Sequence, residues 1–331
     1  MYKFDGEKKR KSIEGALKLR PEINQIADKL WEDVFDNICW FGIGGTYASA
    51  MQAYIHMKEK TNIEVFYEHA AEFLTTGNKR ITEKTIVIIS SVTGSTTEMV
   101  DGVKKLKQIG AKIVGFIDIA TAQLAQDVDY LISYPENEQL KFFMFADRIM
   151  QLNGEFDDYE EYYAELDEHL AEALVQVEID ADKFALEFAE LHHKDDIHYF
   201  VGTGNQWGAT YSYAMCYWEE QHWIRTKSVQ SAEFFHGMFE IVDRDTNVTV
   251  YVGEDSQRSL SERVAKFIPQ ICGRYTIIDT KDYKLSGISG KYRGSLSHHV
   301  MHAVNNRIDV HIEHLNRHPM TIRRYYRQLD Y

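Results

Sequence analysis

The stretch Thr85-Ile-Val-Ile-Ile-Ser-Ser-Val-Thr-Gly-Ser-Thr-Thr-Glu98 concentrates hydroxyl side chains where a strand gives way to a helix. The β-branched run at its start reads as a buried strand, and Met99, Val103 and Leu106 then recur at helical spacing. A strand that turns into a helix leaves backbone N–H groups free at the turn, and the helix dipole favours an anion there. Ser91, Thr93, Ser95 and Thr96 add donors, so the turn reads as a phosphate cradle or as a plain capped turn. It lacks the lysine and the spacing of a nucleotide P-loop.

Two Gly-rich turns frame this loop. Ile38-Cys-Trp-Phe-Gly-Ile-Gly-Gly-Thr-Tyr47 is strand, turn and helix start, and Ile197-His-Tyr-Phe-Val-Gly-Thr-Gly-Asn-Gln-Trp207 repeats it about 160 residues on. Further matches keep the register. Ser231-Ala-Glu-Phe-Phe-His-Gly237 answers Ala70-Ala-Glu-Phe-Leu-Thr-Thr-Gly77, and Tyr275-Thr-Ile-Ile-Asp279 answers Val114-Gly-Phe-Ile-Asp118. The chain therefore reads as a domain-sized duplication. The copies differ where chemistry would sit. Gly253-Glu-Asp-Ser-Gln-Arg258 replaces the hydroxyl loop with carboxylates that would repel a phosphate, and His236 stands where the first copy has threonine. One copy is expected to grip an anion and the other to supply acid–base groups, unless the second loop has simply drifted.

Strands alternating with helices imply an α/β fold of two tandem doubly wound parallel-sheet domains. The expected boundaries are 1–153 for the first, 154–183 for an acidic helical linker and 184–331 for the second. The formal net charge of −14 leaves no basic stripe for a nucleic acid. Three cysteines, Cys39, Cys216 and Cys272, suit neither a metal site nor a disulfide framework, and no apolar run reaches membrane-span length. A cytoplasmic location is expected, with no membrane partner.

These motifs, in this order, resemble the SIS (sugar isomerase) domain family, with its flavodoxin-like units. The likeness runs from about Pro21 onward and rests on Gly42-Ile-Gly-Gly-Thr-Tyr47, Ser91–Thr96, Ala232-Glu-Phe-Phe-His-Gly237 and His318-Pro-Met-Thr-Ile-Arg-Arg-Tyr325. It is nearest to the fructosamine-6-phosphate deglycases and to the isomerase half of glucosamine-6-phosphate synthase. The resemblance implies that Ser91, Thr93 and Thr96 hold a sugar 6-phosphate and that Gly44, Gly45 and Thr46 lie against the sugar. It implies a proton-shuttling glutamate sixteen residues before the histidine, here Glu220, and a ring-opening role for His236. A tail lysine of the synthase corresponds to Arg324, which stays protonated and is a poor base. No segment here matches the synthase's N-terminal glutaminase, so a deglycase or isomerase is expected. Subunit contacts near the family's active sites imply a homodimer or a higher homo-oligomer.

The expected reaction converts a 6-phosphofructosyl amino acid and water to a hexose 6-phosphate and the free amino acid, through an enaminol and an aldimine. It needs no cofactor. A base serving adjacent carbons works best as a carboxylate of raised pKa in a dry pocket, and the aromatics of Tyr217-Trp-Glu-Glu-Gln-His-Trp223 could supply one. Glu233 recurs as Glu72 in the first copy, so it is expected to support its turn. Lys141 and Gln139 could reach the sugar or lie on the surface. The pairs His298/His302 and His314/His318 have helical spacing, but they lack a metal-site signature and no metal is expected. The alternatives are a phosphosugar aldose–ketose or amino-sugar isomerase or deaminase, and a sugar-phosphate sensor without turnover.

Overall fold

The computed structural model describes residues 1–330. The chain divides into two units, Lys8–Glu168 and a second built from Met1–Glu7 together with the residues from His169 onward. In the first unit, strands β1 (Asn37–Gly42), β2 (Val65–His69), β3 (Thr85–Ser91), β4 (Lys112–Ile117) and β5 (Tyr130–Ile132) form one parallel sheet in the order β2-β1-β3-β4-β5. Central strands β1 and β3 are buried along their whole length, which is why their sequences are nearly continuous apolar runs. Cys39, Phe41, Val87 and Ile89 pack against Phe73, Val103 and Leu106 in one core cluster.

The second unit holds β6 (Ile197–Gly202), β7 (Arg225–Gln230), β8 (Asn247–Val252) and β9 (Arg274–Asp279), parallel and ordered β7-β6-β8-β9. The duplication therefore holds at the level of topology. It also holds in backbone detail: Gly44 and Gly204 both adopt φ +60°, a left-handed conformation natural to glycine. The acidic stretch after Gly154 is helical, with Tyr159–Glu165 and Ala171–His192 joined by a π-turn. The helix Ala171–His192 packs along the C-terminal helix Arg293–Asn316, where Arg307 donates to Asp182 at 2.6 Å.

Residues 1–7 dock on the C-terminal helix of the second unit. Lys3 pairs with Glu313 at 2.8 Å, Arg307 donates to the Tyr2 carbonyl at 2.8 Å, and the Tyr2 ring lies 4.6 Å from that of His314. Among the described residues no helix is long and apolar enough to cross a membrane.

Candidate functional site

In a doubly wound sheet the crevice opens where the strand order reverses, beyond the carboxyl ends of the strands. In the first unit that point lies between β1 and β3. The turns that leave these two strands are Gly42–Thr46 and the hydroxyl loop, so the topology brings both motifs to one crevice. The loop is shaped by Gly94 at φ +62°, where an added Cβ would stand 2.3 Å from Ala122 Cβ. The Gly94 N–H donates to Ser91 Oγ at 2.9 Å, and the helix Thr97–Ile109 starts at once with Thr96 as its N-cap. Ser91 is buried, Thr93 and Thr96 are half-buried and Ser95 is exposed. Thr46 does not present its hydroxyl to the crevice. Its Oγ1 accepts the Ile43 N–H at 3.1 Å and donates to the Ile43 carbonyl at 3.0 Å, so it closes the turn. The space above Gly44 is open to 4 Å.

Lys141 is not a surface residue. Its side chain is 1% exposed, and Nζ donates to the Tyr134 carbonyl and lies 3.6 Å from Asp118 Oδ1 at the end of β4. Gln139 donates to Ser49 Oγ at 3.0 Å. Two further acids, Asp118 and Glu138, join this group and were not evident in the sequence. Burial pushes both carboxyls up and the Lys141 amine down, and each of the acids is opposed by the charge of Lys141. Their signal was present only in the fold: Asp118 closes a strand, and Glu138 opens the helix Glu138–Leu152 that returns over the sheet.

The corresponding point of the second unit lies between β6 and β8, and its own side chains fill it. The Asp255 carboxylate accepts the N–H groups of Asn205 at 3.2 Å and Gln257 at 2.9 Å, and a Cβ on Gly204 would stand 2.0 Å from Asp255 Oδ1. The sequence suggests that these acids repel a phosphate; in the fold, Asp255 occupies the cradle itself. Arg258 is held by Gly253, Asp279 and Glu262, and Glu254 by Arg293.

Glu220 sits in a π-helical stretch, Tyr213–His222, that continues the helix Trp207–Ser212. Such irregular turns concentrate at functional sites. The stretch is anchored from inside: Asp309 Oδ1 accepts from Tyr213 Oη at 2.9 Å and pairs with His222 Nε2 at 3.0 Å. Glu220 lines a cavity of about 620 Å³ with Trp223, Arg225, Arg323 and Arg324. The cavity is not dry, because the Glu220 side chain is 36% exposed, and Oε1 accepts from Arg323 Nε at 2.7 Å. Aromatic density in sequence did not bury the carboxylate, because Trp218 points into the core while Trp223 faces outward. Trp223 has φ +59°, a strained value for a bulky residue, and its ring lies 4.1 Å from His318 and 4.2 Å from the Arg324 guanidinium.

His236 is exposed, in the short 3₁₀ turn Phe234–His236, and does not line the Glu220 cavity. Glu233 is also exposed, and its carbonyl accepts the His236 N–H at 2.9 Å. One cluster among the described residues has metal-ligand geometry, and it is not among the helically spaced histidine pairs. His192, Asp195 and His198 bring their ligand atoms within 4.8 Å of one another. Hydrogen bonds account for the arrangement: both Nδ1 atoms meet Asp195 Oδ2, at 2.7 and 2.8 Å, and Arg274 meets Oδ1 at 3.2 Å.

The chain thus holds two parallel doubly wound sheets in sequence, the first with a hydroxyl-rich loop at its switch point. Residues 35–150 match the model of the SIS domain. The chain is 26% identical over 330 residues to the fructosamine deglycase FrlB of Bacillus subtilis, covering 96% of this chain and 99% of that one. A crystal structure of a candidate phosphosugar isomerase from Bacillus subtilis superposes with a TM-score of 0.89 at 24% identity, over 94% of this chain and 97% of that one. The C-terminal domain of a glucosamine-fructose-6-phosphate aminotransferase from Francisella tularensis gives 0.79 at 13% identity, over 95% of each chain. These two likenesses establish the fold.

Proposed function

We propose that this protein is a fructosamine-6-phosphate deglycase. The observation that carries this reading is the end-to-end alignment with a fructosamine deglycase, spanning both units. In this reading the hydroxyl loop, through Ser91, Thr93, Ser95, Thr96 and the N-terminus of the following helix, holds the sugar 6-phosphate, and the open backbone at Gly44, with Gly45 next to it, lies against the sugar. The Glu220 carboxylate takes a proton from C1 of the ketoamine, and the electron pair forms the C1=C2 bond of an enaminol. The proton returns at C2 while the N–H proton of the ketoamine is given up and the former C2 carbonyl oxygen holds one as a hydroxyl, leaving a C1=N aldimine. Water adds at C1, the C1–N bond breaks, both protons of the water end on the nitrogen and its oxygen becomes the C1 aldehyde, so the free amine leaves and a hexose 6-phosphate remains. His236 assists ring opening. Its exposure outside the Glu220 cavity suits donation to a second copy of the chain, so the working form is a homodimer or larger.

The test supplies purified protein with a 6-phosphofructosyl amino acid and follows hexose 6-phosphate by a coupled dehydrogenase and the amine by mass spectrometry. Both products are expected in equal amounts. Glu220→Gln is expected to lose at least about a hundredfold in kcat, the scale of a general acid–base group. Aldose–ketose interconversion without amine release, or full activity in Glu220→Gln, overturns the reading.

A further inference from the structure

The cavity beside Glu220 has a charge pattern that the proton shuttle does not use. Its carboxylates are engaged: Asp195 by His192, His198 and Arg274, Asp196 by Arg225, Glu219 by the N–H and hydroxyl of Thr226, and Glu220 by Arg323. Two of its arginines are thereby engaged as well. Arg324 is the exception: among the described residues it has no carboxylate within ion-pair distance. Its guanidinium instead stacks over the Trp223 ring at 4.2 Å, with the Tyr325 ring at 5.9 Å.

A guanidinium stacked by its face keeps its N–H edge free, and that edge matches a carboxylate with two parallel hydrogen bonds. The platform is held in place at a conformational cost. Trp223 adopts φ +59° immediately after the Glu220-bearing stretch and is flanked on another side by His318. Strain in a bulky residue persists where the surroundings impose it, and it clusters at ligand-holding sites. The volume of about 620 Å³ falls within the range of small-molecule pockets, roughly 300–1,000 Å³.

We infer that Arg324, on its Trp223 shelf, is the specificity-determining residue that binds the carboxylate of the amine portion of the substrate and so selects a carboxylate-bearing amine over a simple alkylamine. The inference rests on the deglycase reading for the identity of the substrate. The slot itself is a property of the second unit alone. It also gives the tail arginine a task suited to a permanent cation, where proton transfer would need a group that titrates.

The experiment compares two stable ligands, the borohydride-reduced adducts of glucose 6-phosphate with glycine and with ethylamine. They differ in the carboxylate and, lacking a carbonyl, cannot turn over. Calorimetry on the full chain is expected to show the glycine adduct binding at least about tenfold more tightly, the scale of a charge-assisted pair. In an Arg324→Gln protein with unchanged melting temperature that ratio is expected to fall to about one, and Arg324→Lys to restore part of it. Equal affinities in the wild type, or a ratio that survives Arg324→Gln, overturn the inference. Turnover of 6-phosphofructosyl glycine is measured alongside. A carboxylate preference without release of glycine keeps the slot and refutes the deglycase reading, whereas release without a preference does the reverse.

Discussion

Asp309 is the point at which the stability of the second unit and the placement of Glu220 meet. It is 2% exposed on the C-terminal helix, and burial pushes its carboxyl up even though His222 and Tyr213 oppose the shift. Asp309→Ala leaves two buried polar groups without their shared acceptor. Each orphan costs about 1–3 kcal/mol, and breaking a buried pair costs about 3–5 kcal/mol, so a loss of about 4 kcal/mol is expected. The second unit has about 170 residues, for which 1 kcal/mol corresponds to about 2–4 °C. Its melting transition should fall by about 8–16 °C in calorimetry. Hydrogen exchange assigns the transition: amides of β6 should lose protection while those of β1 keep theirs. Asp309→Asn retains an acceptor of the same shape, so it should cost about 1 kcal/mol. Because Glu220 lies two residues before His222, Asp309→Asn should also lower kcat more than it raises KM. A fall of less than about 4 °C in Asp309→Ala, or equal loss of protection in β1, refutes the claim that this buried pair anchors the π-helical stretch.

Gly94→Ala adds a left-handed penalty of about 1–2 kcal/mol and an overpacking cost of about 1–3 kcal/mol against Ala122, so the first unit should lose several degrees in melting temperature and bind glucose 6-phosphate less tightly by calorimetry. Burial holds His198 down at about 4, well below its ordinary value of about 6.5. Its contribution is complete above about pH 6.5 and is lost as the pH falls toward 4, because the unfolded chain then takes up a proton that the folded one refuses. Denaturant titrations should lose about 3 kcal/mol over that window, and His198→Asn should flatten the slope. Asp255→Ser empties the second unit's cradle and should destabilise it by about 1–3 kcal/mol in buffer alone. Added sulfate should recover part of that loss in the variant and none in the wild type, as thermal melts would show.

The inner strands of both sheets were legible because β1, β3, β6 and β8 are central and need apolar side chains on both faces. Strand β7 was not named in the sequence because it is an edge strand, Arg-Thr-Lys-Ser-Val-Gln, buried only at Val229. Register and order exposed the duplication, and with it the two turns at the first switch point. The polar interior stayed hidden. Lys141 reads as either sugar-facing or surface until helix and strand bring it to Asp118, and Asp255 reads as a carboxylate that repels a phosphate until its two N–H partners are seen. The strained backbone of Trp223 has no local signature either. The residue caps the π-helical stretch, and its ring packs on the tail, far along the chain from Glu220.

The docking of residues 1–7 on the C-terminal helix imposes an order on synthesis. Tyr2 and Lys3 leave the ribosome about 300 residues before Arg307 and Glu313, which hold them. At roughly 5–20 residues per second that is a wait of about 15–60 s, time enough for the unit Lys8–Glu168 to close as an insertion within a partner still being made. The second unit is completed by residues 1–7 and by the much later residues from His169 onward together. A bulky extension fused ahead of Tyr2 should therefore disturb the unit that carries Glu220 and leave the hydroxyl loop untouched.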